Sequence, residues 1–290
     1  MLTRRDSLGG AIIFLWLVGL ALLARRELFV TEPEQLLEAA LLVVPGTAYY
    51  EVLSGEEQVG WASASIDTSR AGISVRDVMV IDAPDSAARK RFAARARVSL
   101  TPGLRLTGFT FELGGDHGRY RVSGKMSEDT VLQLITATGK SRADTARMPV
   151  RRAMLWPTTV PLALALADRP RVGRTYKYSI YDPTTGTPEE VQLEVGAESL
   201  FVVPDSAKLD EARGTWVVAH QDTVRGWRLD PQGSTLVSGW IDARGRAIET
   251  RPTGTFTLRR TAYELAFQNW TLDVKRRAAA TRAHHNPTNR

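Results

Sequence analysis

From Thr47 onward, apolar and polar residues alternate in short runs punctuated by glycine, the pattern of half-buried strands. "AYYEVLSGEEQVGWASASI" predicts two strands around a Ser54-Gly55 turn, and "ISVRDVMVI" a third. In "RFAARARVSL", Phe92, Ala94, Ala96, Val98 and Leu100 alternate with Arg91, Ala93, Arg95, Arg97 and Ser99, giving one apolar and one basic face. "LRLTGFTFEL", "GRYRVSGKM" and "VLQLITATG" continue at short spacing. Connections this brief require antiparallel pairing, because parallel neighbours need long crossovers.

"RRAMLWPTTVPLALALADRPRVG" interrupts the alternation with prolines and a short apolar helix near Pro161–Ala167. Strand patterning then returns in "TYKYSIYDPTTGTPEEVQLEVGAESLFVVP", "TWVVAHQDTVRGWRL", "STLVSGWIDARGRAIETR" and "GTFTLRR". Within "WIDARGRAIE", Ala243-Arg244-Gly245 supplies a hairpin reversal. "TAYELAFQNW" predicts a closing helix: Thr261 and Glu264 form a capping-box pattern. Tyr263, Phe267 and Trp270 recur at i, i+4, i+7, a stripe that either packs on the sheet or meets a partner.

The N-terminal region follows a different period. Leu8 to Ala24 is an apolar run of 17 residues, at the short end of a membrane span. It is longer than a usual signal-peptide core, and Leu22 with Arg25-Arg26 gives no small-residue cleavage site. The expected anchor is carried by Ile12, Ile13, Phe14, Leu15, Trp16, Leu17, Val18, Leu20, Leu22 and Leu23. "TEPEQLLEAALLVVPG" reads as an amphipathic helix with Leu37, Leu41 and Val44 in one line and Glu34 and Glu38 on another face. An acidic polar face suits protein better than anionic lipid.

The patterning therefore predicts a mainly β protein, with an N-terminal single transmembrane helix followed by antiparallel β-meander units and a few short helices. Its divisions are an anchor over 1–30, a short amphipathic helix over 31–46 and a first antiparallel β unit over 47–149. A linker with a short helix over 150–170, a second β unit with closing helix over 171–274 and a basic tail over 275–290 complete it.

Composition narrows the function classes. The chain has 290 residues and no cysteine, which removes disulfides, thiolate metal sites and cysteine nucleophiles together. The net charge of +6 is concentrated at the ends. Arg4, Arg5, Arg25 and Arg26 outweigh Asp6 and Glu27 in the first 30 residues, and Lys275, Arg276, Arg277, Arg282 and Arg290 face no acid in the last 16. Residues 31–274 are close to neutral, so a nucleic-acid footprint on the body is not expected.

Histidines are His117, His220, His284 and His285. His117 sits in a polar turn, and the last two lie in a tail that reads as disordered or partner-bound. His220 and Asp222 share a strand face, a spacing that suits a base and its orienting carboxylate, yet also an ordinary polar strand. No G-x-S-x-G elbow or HExxH helix accompanies them. "TATGKS" fails as a phosphate loop because Leu134 stands where the first glycine belongs. Asp205 and Asp210 read as part of a solvated loop. No catalytic residue, metal, cofactor or small-molecule substrate is expected from these motifs.

Three segments, "AYYEVLSGEEQVGWASASIDT", "RVGRTYKYSIYDP" and "VSGWIDARGRAIETRPTGTFTLRRTAYELAFQN", resemble the membrane-anchored β region ahead of the catalytic domain in bacterial transglutaminase-like proteins. The resemblance covers roughly 47–270 and implies an accessory β module lacking that enzyme's cysteine. In plan, with one span and a large soluble part, the chain also resembles the accessory structural subunit S of a bacterial double-ring reaction-centre and light-harvesting complex.

Three functions compete on these grounds. The first is a non-catalytic structural subunit of a membrane complex in the inner bacterial membrane, with a periplasmic body. Its contacts to other subunits would come from Leu37, Leu41, Val44, Tyr263, Phe267, Trp270, Lys275, Arg276 and Arg277. The second is a membrane-anchored β half-barrel that holds a lipid or other ligand. The third is a hydrolase using His220 and Asp222.

Overall fold

The computed structural model describes residues 43–285, apart from 70, 84–89, 117, 128–129, 140, 151–152, 168–169, 184, 233–237 and 252–255. The expected anchor, Ile12 to Leu23 included, and Leu37 and Leu41 of the amphipathic helix lie outside these residues. Of the expected 31–46 helix, residues 43–45 are non-helical and Gly46 already begins a strand. Val43 is buried and Val44 half exposed.

The alternating segments form eight strands before the linker. They are β1 Gly46–Ser54, β2 Glu57–Ser69, β3 Gly72–Ala83, β4 Lys90–Leu100, β5 Leu106–Gly115, β6 Gly118–Ser127, β7 Val131–Thr138 and β8 Asp144–Pro149. Six follow it: β9 Thr175–Asp182, β10 Thr187–Asp210, β11 Thr215–Gln232, β12 Ser238–Asp242, β13 Ala247–Arg251 and β14 Phe256–Thr261. The two runs are limbs of one 14-stranded antiparallel sheet, because β1 pairs with β14. The sheet's terminal strands are β8 and β9.

A sheet of this length curls with its inherent twist, and the linker fills the gap between the limbs. Leu106 N–H at the start of β5 donates to Met154 O at 3.1 Å. Leu155 N–H donates to Ser179 O at 2.8 Å, and Tyr181 N–H of β9 to Leu155 O at 3.1 Å. Side chains meet at the same place: the Phe109 ring lies 4.8 Å from both Trp156 and Tyr181. A 3-10 turn, Pro157–Thr159, and helix α1, Val160–Ala167, continue onto the concave face. Val160, Leu162, Ala163 and Leu164 of α1 are buried there.

The hairpin expected at Ala243–Gly245 forms between β12 and β13 and is held by buried Asp242. Its Oδ1 accepts N–H bonds from Arg244 and Arg246, both at 2.9 Å, and Oδ2 accepts from Arg260 Nη1 at 2.6 Å. At its tip Gly245 has φ of 70° and its Cα abuts α1, so a Cβ there would stand 2.5 Å from Leu162 Cα. Only glycine meets both demands.

The closing helix packs on the convex face. It begins as a π-helical stretch, Glu264–Asn269, and continues as α2, Trp270–His285. The expected capping box is not formed: Thr261 is still in β14, paired with Tyr49, and no side chain caps the helix start. The aromatic stripe is occupied by the chain's own rings. Tyr263 stacks on Phe267 at 5.4 Å and meets Tyr49 at 5.0 Å, while Phe267 meets Trp61 at 5.0 Å. Trp270 is buried, with the Arg91 guanidinium 5.3 Å above its ring.

The basic tail, expected to be disordered or partner-bound, is helical as far as His285. Arg276 donates to Arg213 O and Gly214 O, both at 3.4 Å, and Arg277 Nη1 lies 3.3 Å from Glu57. Lys275 is exposed. Among the described residues no helix is long and apolar enough to cross a membrane.

Candidate ligand-binding cavity

Strand parity puts Ile73, Val75, Asp77, Met79 and Ile81 on the concave face of β3. Around Asp77 and Met79 the neighbours on this face are small. Asp77 is in register with Ala64 of β2 and Ala96 of β4, and Met79 with Ala62 and Ala94. Ala48 of β1 continues the patch opposite Ala64. Alanines cannot fill the distance between the sheet and the linker packed over it. A cavity of about 480 Å3 results, partly open to solvent. Its lining also includes the Trp156–Leu162 segment, Phe111, Leu193, Leu229 and Leu258, and two cations, Arg95 and Arg246. The volume falls within the usual range for small-molecule sites, about 300–1,000 Å3.

Asp77 is the acidic group in this lining. Its Oδ2 accepts a 2.6 Å hydrogen bond from Thr158 Oγ1 of the linker turn, whereas Oδ1 is shielded from solvent and has no partner. Burial pushes its pKa up to about 6, against the smaller opposing effect of the Thr158 bond. Tyr50, on the same face of β1, is also pushed upward by burial, with the nearby charge of Arg260 opposing and that of Asp77 adding.

No recognisable motif in the sequence marks this site. Its one signal is an aspartate in phase with Ile73, Val75, Met79 and Ile81 of a strand. The alanine rows only acquire meaning once their register against Asp77 is known.

His220 lies elsewhere, on the far part of the β10–β11 hairpin. Its Nδ1 is 2.9 Å from both carboxylate oxygens of Asp205 rather than bonded to Asp222. That hydrogen bond, then the charge of Asp205, raises the imidazole pKa, with Asp222 adding less. The three residues could offer ligand atoms within 4.8 Å of one another, but all are exposed. Asp205 belongs to β10, beside a register shift at Pro204/Ser206, and is not in a loop. Asp210 closes the hairpin tip by accepting N–H bonds from Ala212 and Arg213 at 3.1 and 3.2 Å. His117 is outside the described residues, and His284 and His285 fall in α2.

No protein-family model matches the chain, and no curated protein matches it. Among solved structures, the chain is similar to a β-barrel-like protein of a domain of unknown function, DUF1849, from Brucella abortus. The identity is 14% and the TM-score 0.47, over 76% of this chain and 95% of that one. It is also similar to a DUF1089 family protein from Pseudomonas aeruginosa, at 10% identity and a TM-score of 0.37, over 69% of this chain and 92% of that one.

Proposed function

We propose that the protein is a membrane-anchored binding module that holds a small apolar molecule inside its curled sheet. The observation that carries this reading is the alanine-lined cavity of about 480 Å3 between β1–β4 and the linker. A core of this size ordinarily packs to crystal-like density. Here five alanines face a wall of Trp156, Pro157 and Leu162 across open space, so the sheet supports a container more than a solid core. The apolar segment 8–24 would tether the container to a membrane, close to a source of apolar ligands.

A second reading, assembly into a larger membrane complex, has one observation in its favour. Leu200 and Val202 on the β10–β11 hairpin are 66% and 64% exposed. Of the residues expected to meet partners, Val44 and Lys275 are exposed, and Tyr263, Phe267, Trp270, Arg276 and Arg277 make contacts within this chain.

Both readings meet in one experiment. Native membranes are extracted in mild detergent, and the separated protein is analysed by mass spectrometry for protein and small-molecule companions. The binding reading expects one apolar species at about one per chain. Co-migration with a large assembly at fixed stoichiometry, with no such species, would overturn it in favour of the assembly reading.

A further inference from the structure

The near-neutral total charge of the body conceals a separation that the strand register reveals. The basic face of β4 does not stand alone. Arg97 lies opposite Arg76 of β3, Arg95 opposite Glu112 of β5, and Glu112 opposite Arg121 of β6. Arg119 and Lys125 share that face of β6, and Arg147 of β8 continues it beyond Gln133 of β7. Arg95 also borders the cavity, but it alternates with Ala94 and Ala96, which puts its side chain on this convex side. The acids on this face of β3–β8 are Asp82, bound to Arg91 at 2.7 Å, and Glu112, 3.4 Å from Arg121. Arg76, Arg95, Arg97, Arg119, Lys125 and Arg147 are exposed and, among the described residues, pair with no carboxylate. β10, in the other limb, holds six acids and one lysine, which offsets this charge. Like charges directly opposite, as Arg76 and Arg97 are, destabilise a sheet unless an anion relieves them.

Such a face attracts arrays of phosphate, which nucleic acids and bilayers both present. Single-stranded nucleic acid calls for aromatic platforms between the cations. Here the rings of these strands, Phe92, Phe109, Phe111 and Tyr120, all fall on the concave side. Reading a duplex groove calls for a protruding helix or ribbon, whereas this surface is the broad side of a sheet. A bilayer calls only for cations spread over such a surface. It is also within reach, because residues 25–42, which join the apolar run to the described body, span at most about 65 Å. One hollow in the face suits a single headgroup. Arg95 and Arg119 flank it, over a floor that includes Ala93, Gly114, Gly118 and Gly139. Gly118 and Gly139 are turn residues with φ of 138° and 61°, but Gly114 belongs to β5 and a Cβ there would meet nothing within 4 Å. Neither crowding nor a positive φ calls for glycine at that position, and close approach of a ligand does.

We infer that the convex face of β3–β8 docks on an anionic bilayer surface, with a headgroup phosphate seated between Arg95 and Arg119. This rests on the tether of the reading above and not on the cavity.

The chain has no cysteine, so a single one can be introduced for labelling. The full chain carrying Ser99→Cys, on the basic face, or Ser199→Cys, on β10, receives a fluorophore and is incorporated into nanodiscs doped with a headgroup-linked quencher lipid. The discs are phosphatidylcholine alone or equal parts phosphatidylcholine and phosphatidylglycerol. The label at position 99 should be quenched in the anionic discs at low salt and released by high salt or by neutral discs, while the label at 199 stays bright throughout. Arg97→Gln/Arg119→Gln/Lys125→Gln should weaken docking about a hundredfold, since each cation near an anionic surface is worth about fivefold. Lys177→Gln/Lys208→Gln/Arg244→Gln removes the same charge elsewhere and should leave docking intact. Equal quenching of both labels, equal effects of the two triple variants, or indifference to phosphatidylglycerol would overturn the docking face. A label at 99 that responds to an oligonucleotide and not to anionic discs would assign the face to nucleic acid instead. Retention of the chain by neutral discs through gel filtration reads the tether alone, so loss of the tether is distinguished from loss of the face.

Discussion

Asp77 occupies a position where the strand's alternation calls for a side chain like Val75 or Met79, and its ionisation registers the mismatch. In an unfolded chain its carboxyl titrates near 3.8, whereas in the fold burial raises that to about 6. The folded state therefore binds the proton more tightly. Stability falls as pH rises from about 4 to about 6 and stays at the lower level above, by up to about 3 kcal/mol if the whole shift is realised. Asp77→Asn removes the titration: it should match the parent near pH 4 and exceed its stability at pH 8, read from chaotrope unfolding at both values. A parent curve flat between pH 4 and 7 would contradict the buried placement. Gly124 makes a second residue-scale prediction. A Cβ there would collide with Phe109 Cε1, and that ring is fixed between Trp156 and Tyr181 where the limbs meet. Gly124→Ala should destabilise by about 1–3 kcal/mol through forced repacking, with a lower thermal midpoint as the readout.

The elements differ in how plainly the sequence announces them. β1 to β7 were legible because each has a period-two apolar face and a glycine-bearing turn, and α1 because eight residues between prolines carry no charge. β8 was not, since "DTARMP" is a short, exposed terminal strand with no apolar face to reveal it. The far part of the β10–β11 hairpin was obscured for another reason. Pro204, Asp205 and Ser206 have loop chemistry, but the strand absorbs them in register shifts against β11. The hairpin tip is secured to the closing helix by Asn269, whose Oδ1 accepts from Trp216 N–H and whose Nδ2 donates to Trp216 O, both at 2.9 Å. Asn269→Ala should cost about 1–3 kcal/mol by leaving two half-buried backbone groups unpaired. Arg276→Ala, whose bonds are exposed and 3.4 Å long, should cost under about 1 kcal/mol. Parallel thermal unfolding of the two variants distinguishes them, and equal losses would argue against the two-bond clamp.

At the scale of the molecule, one long meander is closed on itself by contacts no local pattern encodes. The pairing of β1 with β14 unites segments some 200 residues apart, and Met154–Trp156 joins β5 to β9 without being part of either limb. This is why alternation alone suggests two β units and, although it allows a half-barrel, does not indicate which residues line its interior. The cavity depends on three separate facts of register: alanines on β1, β2 and β4 lie side by side, Asp77 lies among them, and the linker crosses above. In the function proposed above, this space is a binding site. Its most direct test is saturable binding of an apolar fluorescent probe to the full chain in nanodiscs, compared with an Ala64→Leu/Ala96→Leu variant that fills the space. A binding site there gives one site per parent chain and loss of binding in the variant, with the far-ultraviolet circular dichroism of the β fold retained. Undiminished binding in a folded variant, or none in the parent, would contradict it.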